Sequence, residues 1–291
     1  MTETIQSLRV RALLVPMAEP HRTASGVITV SPLVLVDLQT ASGVVGHSMV
    51  FTYNTPSLKP TAQLIEDMQP WVQGQPLAPA ALCRHLLGKL RLFGTYGITG
   101  IAIAAIDMAA WDALARTHGV PLCELLGATP RPTQAYGGIG FDGAKGCAGQ
   151  AERWARRGFR AVKAKIGYPA VDEDVAVIRA MRSAVGPDVA IMVDYNQCLS
   201  PVAARERMRV LDGEGLAWVE EPVIAEDYAG MAAVAREAAT PTPTAHWLEY
   251  ADWWNPVLAE PLEVREGMAI PSNRPGSGVE WNEAAIARLV S

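Results

Sequence analysis

The chain has 291 residues, of which 49% are apolar and 19% charged, with a formal net charge of −5. That balance describes a globular chain large enough for one big domain or two moderate ones, and it lacks the basic excess expected of a nucleic-acid or anionic-membrane binder. Its four cysteines, Cys83, Cys123, Cys147 and Cys198, show no CxxC spacing, which argues for free thiols in a reducing compartment and against structural zinc. The N-terminus has no basic stretch followed by an apolar run, and no later apolar run is expected to span a bilayer, so a cytoplasmic location is the default expectation.

Ser7–Val15, Gly26–Leu38 and Val44–Phe51 alternate apolar and polar residues, with a turn at Thr40-Ala41-Ser42-Gly43, and predict antiparallel strands over residues 6 to about 53. Pro60–Gln69 and Pro79–Leu92 predict helices, each opened by a proline suited to a first helical turn. Gly97–Thr117 is rich in alanine and predicts a close-packed helix stopped by Gly119 and Pro121. Asp107 and Asp112 on that helix are expected to make structural hydrogen bonds or ion pairs, because buried acids need partners.

From Pro132 the rhythm changes to βα units. Gln134–Ile139 predicts a first short strand and Gly143–Arg157 the helix after it. Three apolar segments follow, each ending in polar residues: Ala161–Gly167, Ile191–Gln197 and Leu216–Pro222. Helical periods near Val171–Ala184, Pro201–Gly213 and Tyr228–Ala239 complete four units of a parallel sheet. Strand alternation puts Lys163 and Lys165 on one face and Asp194 and Asn196 on one face, whereas Glu220 and Glu221 must point apart. Two lysines, an amide and two or three acids at successive strand ends describe one compact site for a metal and a general base.

A fifth strand should come next. The chain instead runs through Thr240-Pro241-Thr242-Pro243-Thr244, with Thr-Pro-Thr twice in overlap, to His246-Trp247-Leu248-Glu249. A further strand is expected around Trp247, and short strands at Asn255–Glu260 and Val264–Ile270 are expected to return to the first domain. A βα barrel needs eight strands. The strand ends carry inward charges rather than a Gly-rich phosphate loop, which argues for a barrel mouth over an open nucleotide-binding sheet.

With these residues in view, the chain resembles the enolase superfamily, and within it the mandelate racemase branch. The resemblance rests on Pro32–Leu38, Gly43–Ser48, Ile106–Leu114, Gly158–Pro169, Val193–Gln197, Trp218–Pro222 and Pro243–Glu249, in that order and spacing along nearly the whole chain. It implies an α/β fold: an α+β capping domain over residues 1–130 and a modified TIM-type barrel over 131–254. Residues 255–291 then return to the cap. About three βα units, roughly 70–80 residues, are missing near 240–244, so the barrel is incomplete in this chain.

The resemblance also implies Mg²⁺-dependent abstraction of the proton α to a carboxylate, racemising an α-hydroxy acid of the mandelate type. Such a proton is very weakly acidic, so charge growing on the carboxylate oxygens must be stabilised; enzymes of this superfamily meet that need with a Lys or His base and Mg²⁺. By resemblance Lys165 is the base, its proton loss favoured by the neighbouring Lys163 charge. Lys163 neutralises the substrate carboxylate, Asp194 and Glu220 are metal ligands, Asn196 donates to the substrate, Glu249 is the protonated acid that hydrogen-bonds the enolate oxygen, and Tyr53 is a flap residue against the substrate. His246 carries no transferable role. Relatives in this branch form symmetric homo-oligomers.

The chain departs from the family pattern in three ways. A third metal carboxylate and the second base, a His with its orienting Asp, fall in the missing segment, and none of His21, His47, His85 and His118 is expected to stand in for that His. The flap His21–Gly26 is more polar than a phenyl-bearing substrate would favour. Gly137-Gly138 replaces polar residues on the first barrel strand. Two alternatives therefore stand beside racemisation: dehydration of acid sugars, and a truncated, catalytically impaired relative.

Overall fold

The computed structural model describes residues 3–24, 26–237 and 247–290. Three antiparallel strands open the chain: β1 (Ile5–Thr23), β2 (Gly26–Thr40) and β3 (Val45–Phe51), paired in the order β1-β2-β3. Helices α1 (Thr55–Asp67), α2 (Gln69–Val72), α3 (Pro79–Lys89), α4 (Ile98–His118) and α5 (Leu122–Leu125) follow. The flap that the sequence suggested as a loop is the tip of a long β1–β2 hairpin, with His21 opposite Ile28 and Thr23 opposite Gly26.

The helix expected to start at Pro60 starts at Thr55. The Asn54 side chain accepts from the Ser57 N–H, which caps the helix, and Pro60 lies inside it. α4 packs on β3 at Gly46, where an added Cβ would lie 2.2 Å from the Ala109 carbonyl oxygen and 2.7 Å from the Ala113 Cβ. Glycine facing alanine lets backbone meet backbone there. α4 also corrects the expectation that no apolar segment reaches bilayer length: it has 21 residues, and an 18-residue window within it has a mean hydropathy of 1.5. Its apolar residues belong to the buried core formed with β2, α1 and α3, so the length serves packing.

The second half is a βα sheet. Its strands are β4 (Thr133–Ile139), β5 (Ala161–Lys165), β6 (Ala190–Asp194), β7 (Trp218–Glu220) and β8 (Trp247–Tyr250), and its helices are α6 (Gly143–Arg156), α7 (Val171–Val185), α8 (Pro201–Leu211) and α9 (Tyr228–Glu237). These five strands are parallel in the order β8-β4-β5-β6-β7. Alternation divides their side chains. Val162, Ala164, Ile191 and Val193 pack into the helix layer, while Ala161, Tyr136 and Met192 pack with Trp218 and Trp247 on the other face. Lys163, Lys165, Asp194, Glu220 and Glu249 share the parity of that second face. The strand around Trp247 pairs with β4, the first strand, as a last barrel strand would, and not with β7. Among the described residues β7 pairs only with β6, so the parallel sheet is open between β7 and β8. The expected gap at 240–244, with His246, lies outside the described residues.

The tail differs from its reading as two strands returning to the first domain. Asn255–Val257 is a 3₁₀ turn, and β9 (Glu263–Arg265) and β10 (Met268–Ile270) form a hairpin that pairs with the start of β4. Beyond it, a final short helix α10 (Glu283–Ile286) and Trp281 pack on Leu13, Val15, Leu33 and Leu35 of the capping sheet. The anchor of that contact is Asp37. Its Oδ1 accepts from Trp281 Nε1 at 2.5 Å and lies 2.8 Å from His47 Nδ1, while its Oδ2 accepts from Arg11 at 2.8 Å. Burial by itself would raise the Asp37 carboxyl, but the hydrogen bonds from His47 and Trp281 and the Arg11 charge outweigh it and hold the group below the usual range. Asp112 is structural, as expected. It accepts from the His47 and Ser277 backbone N–H groups and pairs with Arg116.

Removing Asp37 takes one of two carboxylate partners from the buried Arg11 guanidinium, which keeps Glu283, and deprives Trp281 Nε1 of its acceptor. Asp37→Ala is expected to cost roughly 1–3 kcal/mol in urea unfolding, the penalty of a buried donor left unsatisfied.

Candidate active site

The parallel register that aligns β5, β6 and β7 makes the site. Lys165 is level with Asp194, and Asp194 with Glu220. On β5, Lys163 is almost fully buried, at 1% exposure. Its Nζ donates to both Glu220 oxygens at 3.0 and 2.9 Å and to Glu249 Oε2 at 3.3 Å, with Asp194 Oδ2 at 3.7 Å. One ammonium thus bridges the ends of β6, β7 and β8. Lys165 Nζ donates to Asp194 Oδ2 at 2.5 Å. Asn196 turns back on the same carboxylate through its backbone N–H, 2.7 Å from Oδ1, and its amide, 3.1 Å from Oδ2. Its own Oδ1 is buried without a partner.

Burial would lower the Lys163 ammonium's affinity for its proton, yet Glu249, Tyr136 and Glu220 outweigh burial and raise it. Lys163 is therefore a fixed positive charge rather than a base. Tyr136, on β4, is a site residue that the sequence reading did not include. It lies 5.0 Å (ring centroid) from Lys163 Nζ and edge-on to Trp218, and its phenol is held protonated by burial and by Glu249. The signal is present in the chain: Tyr136 has the parity of Gly138, whose α-carbon faces Glu249. Gly137 has the other parity, and a Cβ there would fall 2.3 Å from the Trp154 ring. One of the two glycines makes room for a tryptophan; the other stands beside Glu249, where an added Cβ would meet its carboxylate at 3.8 Å.

The residues Asn196, Gln197 and Glu221 have φ of 45°, 64° and 44°, left-handed values that non-glycine residues adopt at a cost of about 1–3 kcal/mol. Interstrand bonds hold them there: Tyr195 N–H to the Glu220 carbonyl at 3.0 Å and Gln197 N–H to the Glu221 carbonyl at 2.8 Å. Behind them Asp174, fully buried at the start of α7, collects the strand ends. Its Oδ1 accepts from the Gly167 and Tyr168 N–H groups just after β5, and its Oδ2 from the Tyr195 hydroxyl at 3.0 Å and from Arg207. It ties the loop after Lys165 to the residue between Asp194 and Asn196.

All seven residues predicted for the site, Lys163, Lys165, Asp194, Asn196, Glu220, Glu249 and Tyr53, line one cavity of about 910 Å³. Glu220 and Glu221 both reach its rim, but only Glu220 meets Lys163; the Glu221 carboxylate accepts from Gln197 at 3.1 Å. The capping hairpin closes the cavity from above. The Phe141 N–H donates to the Arg22 carbonyl at 2.8 Å, and the Arg22 guanidinium pairs with Asp142. That side carries Val27, Ile28, Val30 and Phe51, with Tyr53 69% exposed at the rim, and Trp253 and Trp254 from the segment after β8. The cap side is mixed: the Arg22 side chain turns to Asp142, while Thr23, Thr29, Asn54 and Thr55 line the cavity beside the apolar and aromatic residues. His21 also lines the cavity, 4.7 Å from the Trp253 ring. Burial and then the Lys165 charge lower its imidazole to about 4.

Among the described residues no three His, Cys, Asp or Glu side chains are grouped to hold a metal. Asp194 and Glu220 form a pair of neighbouring carboxylates facing one buried cation. Three carboxylates against two ammonium groups leave this cluster one formal negative charge. Two carboxylates with water fit the habit of Mg²⁺, which keeps several waters and binds through one or two acids.

The chain's sequence matches two family models: the mandelate racemase / muconate lactonizing enzyme N-terminal domain over residues 5–127 and the enolase C-terminal domain-like model over 146–246. It is 31% identical over 270 residues to a D-galactarolactone cycloisomerase of Agrobacterium fabrum, covering 89% of this chain and 70% of that enzyme. Across eight curated relatives the chain spans 57–70% of their length. Two crystal structures are similar over the whole chain. An enolase from alpha pretobacterium bal199 with bound Mg has a TM-score of 0.94 at 29% identity, covering 100% of each chain. An enolase from Bradyrhizobium, complexed with magnesium and mandelic acid, has a TM-score of 0.91 at 34% identity, covering 100% of this chain and 99% of that one.

The neutral His21 has a pH consequence. Its folded pKa of about 4 lies below the unfolded value of 6.5, so the unfolded chain binds more protons between the two. Stability is full above about pH 6.5 and falls as pH drops towards 4, by at most roughly 3 kcal/mol. His21→Phe is expected to flatten the dependence of the urea midpoint on pH in that window.

Proposed function

This chain belongs to the mandelate racemase/muconate lactonizing enzyme family of the enolase superfamily, and on that premise we propose that it abstracts the α-proton of an aryl-substituted α-hydroxy carboxylate and racemises it. The observation that carries the reading is the pairing of a charged floor with an aromatic wall in one cavity. Lys163, Lys165, Asp194 and Glu220 line one side, and Phe51, Tyr53, Trp253 and Trp254 the other. An anionic head belongs to the first and a flat apolar group to the second. The mandelic acid bound by the Bradyrhizobium enolase has both parts.

In this reading Lys163, a permanent ammonium, binds the substrate carboxylate. Lys165, two residues on along the same strand face, takes the α-proton. Asn196 donates to the substrate through its amide, and Glu249, level with Tyr136 and beside Lys163, donates as the protonated acid, not as the carboxylate, to the oxygen on which enolate charge develops. Asp194 and Glu220 would hold Mg²⁺, which would supply positive charge to stabilise the enolate. Tyr53 closes the rim over the aryl group. The fixed dipoles and charges are in place before the proton moves, which is where such sites lower a barrier.

The test measures inversion of (R)- and (S)-mandelate with and without Mg²⁺, alongside dehydration of galactarate. Mandelate inversion that depends on Mg²⁺ and falls at least roughly 10²–10⁴-fold in Lys165→Met supports the reading. Turnover of galactarate with none of mandelate replaces it with acid-sugar dehydration.

A further inference from the structure

Inverting a carbon centre requires a proton to leave one face and another to arrive on the opposite face. Eight titratable side chains line the cavity, and six of them, Lys163, Lys165, Asp194, Glu220, Glu221 and Glu249, project from the ends of the parallel strands. A substrate seated on those ends presents its other face to the capping side. Among the described residues only His21 and Tyr53 reach the cavity from there. Tyr53 is 69% exposed and its ring rests on Phe51 at 5.0 Å, at the rim. His21 is held further in, between the docked hairpin and Trp253.

We propose that His21, supplied by the capping hairpin, is the second proton-transfer residue of this site, working across the substrate from Lys165. The inference rests on the α-proton reading above and adds a residue to it.

The hairpin fixes the imidazole. Thr23 shares its parity while Arg22 points the other way to Asp142, so the Arg22–Asp142 pair and the Phe141 N–H···O=C Arg22 bond set which side chain enters the cavity. The charged groups that face His21 are Lys165, Glu249, Asp142 and Asp194. The neutral imidazole is the form that accepts a proton, and the imidazolium is the form that returns one. In one direction the Lys165 amine removes the α-proton, the C–H electron pair enters the enolate, and the His21 imidazolium returns a proton to the opposite face as that pair re-forms a C–H bond. Lys165 is left as ammonium and His21 neutral. In the other direction neutral His21 takes the proton and the Lys165 ammonium supplies one. Solvent resets both groups, so no further reactant is needed.

Racemisation and proton exchange separate the two residues. Each enantiomer of mandelate is incubated with the protein and Mg²⁺ in D₂O, α-proton loss is followed by NMR, and inversion by chiral chromatography. His21→Asn and His21→Gln are expected to lose inversion in both directions by at least about 100-fold. They should still wash the α-proton out of one enantiomer, the one that presents it to Lys165, at a rate within about tenfold of the unaltered protein. Inversion within about threefold of the unaltered protein by either folded variant overturns the proposal. So does equal loss of exchange from both enantiomers in variants whose circular dichroism and urea midpoint are unchanged, because His21 would then hold the site together without moving a proton. If the unaltered protein exchanges without inverting, His21 is not a second base while the α-proton reading stands. If it exchanges neither enantiomer, that reading falls first and takes this one with it.

Discussion

One buried ammonium organises the active half of this molecule. Lys163 is nearly inaccessible to water, and a charge in that position persists only when it is paired and hydrogen-bonded. Its partners arrive from three strands: Asp194 from β6, Glu220 from β7 and Glu249 from β8. Glu220 and Glu249 stand on the two edge strands of the open parallel sheet. The same contact that neutralises Lys163 therefore draws the sheet's edges toward a common point. Removing any one acid leaves the ammonium partly uncompensated, so site geometry and sheet geometry are one problem.

The surroundings answer to that constraint. The strand ends turn through left-handed residues at Asn196, Gln197 and Glu221 to bring side chains back over the sheet, and Asp174 takes up the backbone N–H groups left by the turn after β5. The cap is fastened separately. Asp37, Arg11, His47 and Trp281 lock the tail to the capping sheet, and Arg22 with Asp142 locks the hairpin to the mouth of the βα layer. The cavity is the space between these two sets of anchors, charged below and mixed apolar, aromatic and polar above.

Much of the site is legible in the chain because parallel strands make it a local matter. A period of two assigns Lys163 and Lys165 to one face, and three apolar segments in βαβ order place Asp194 and Glu220 beside them. The full set of partners around Lys163 is not legible. Tyr136 stands beside two glycines that carry the more visible signal, and only the fold shows that one of them faces Trp154, on the following helix, and the other Glu249. Local pattern gives His21 no role and reads Arg22 as flap polarity, because it makes the flap a loop. In a hairpin, alternation turns one inward and the other outward, and only docking against Phe141 and Asp142 selects which.

The sequence by itself determined the elements, their order, the face each strand residue occupies and the family to which the chain belongs. These follow from periodicity and from motifs within a few residues of one another. The tertiary structure alone decided where β8 pairs, that β9 and β10 join β4 while Trp281 returns to the cap, and that the hairpin hangs an imidazole in the cavity that Lys165 lines. Those are contacts between residues far apart in the chain. No local period encodes them, because they are set by which surfaces remain to be buried once the strands and helices have formed.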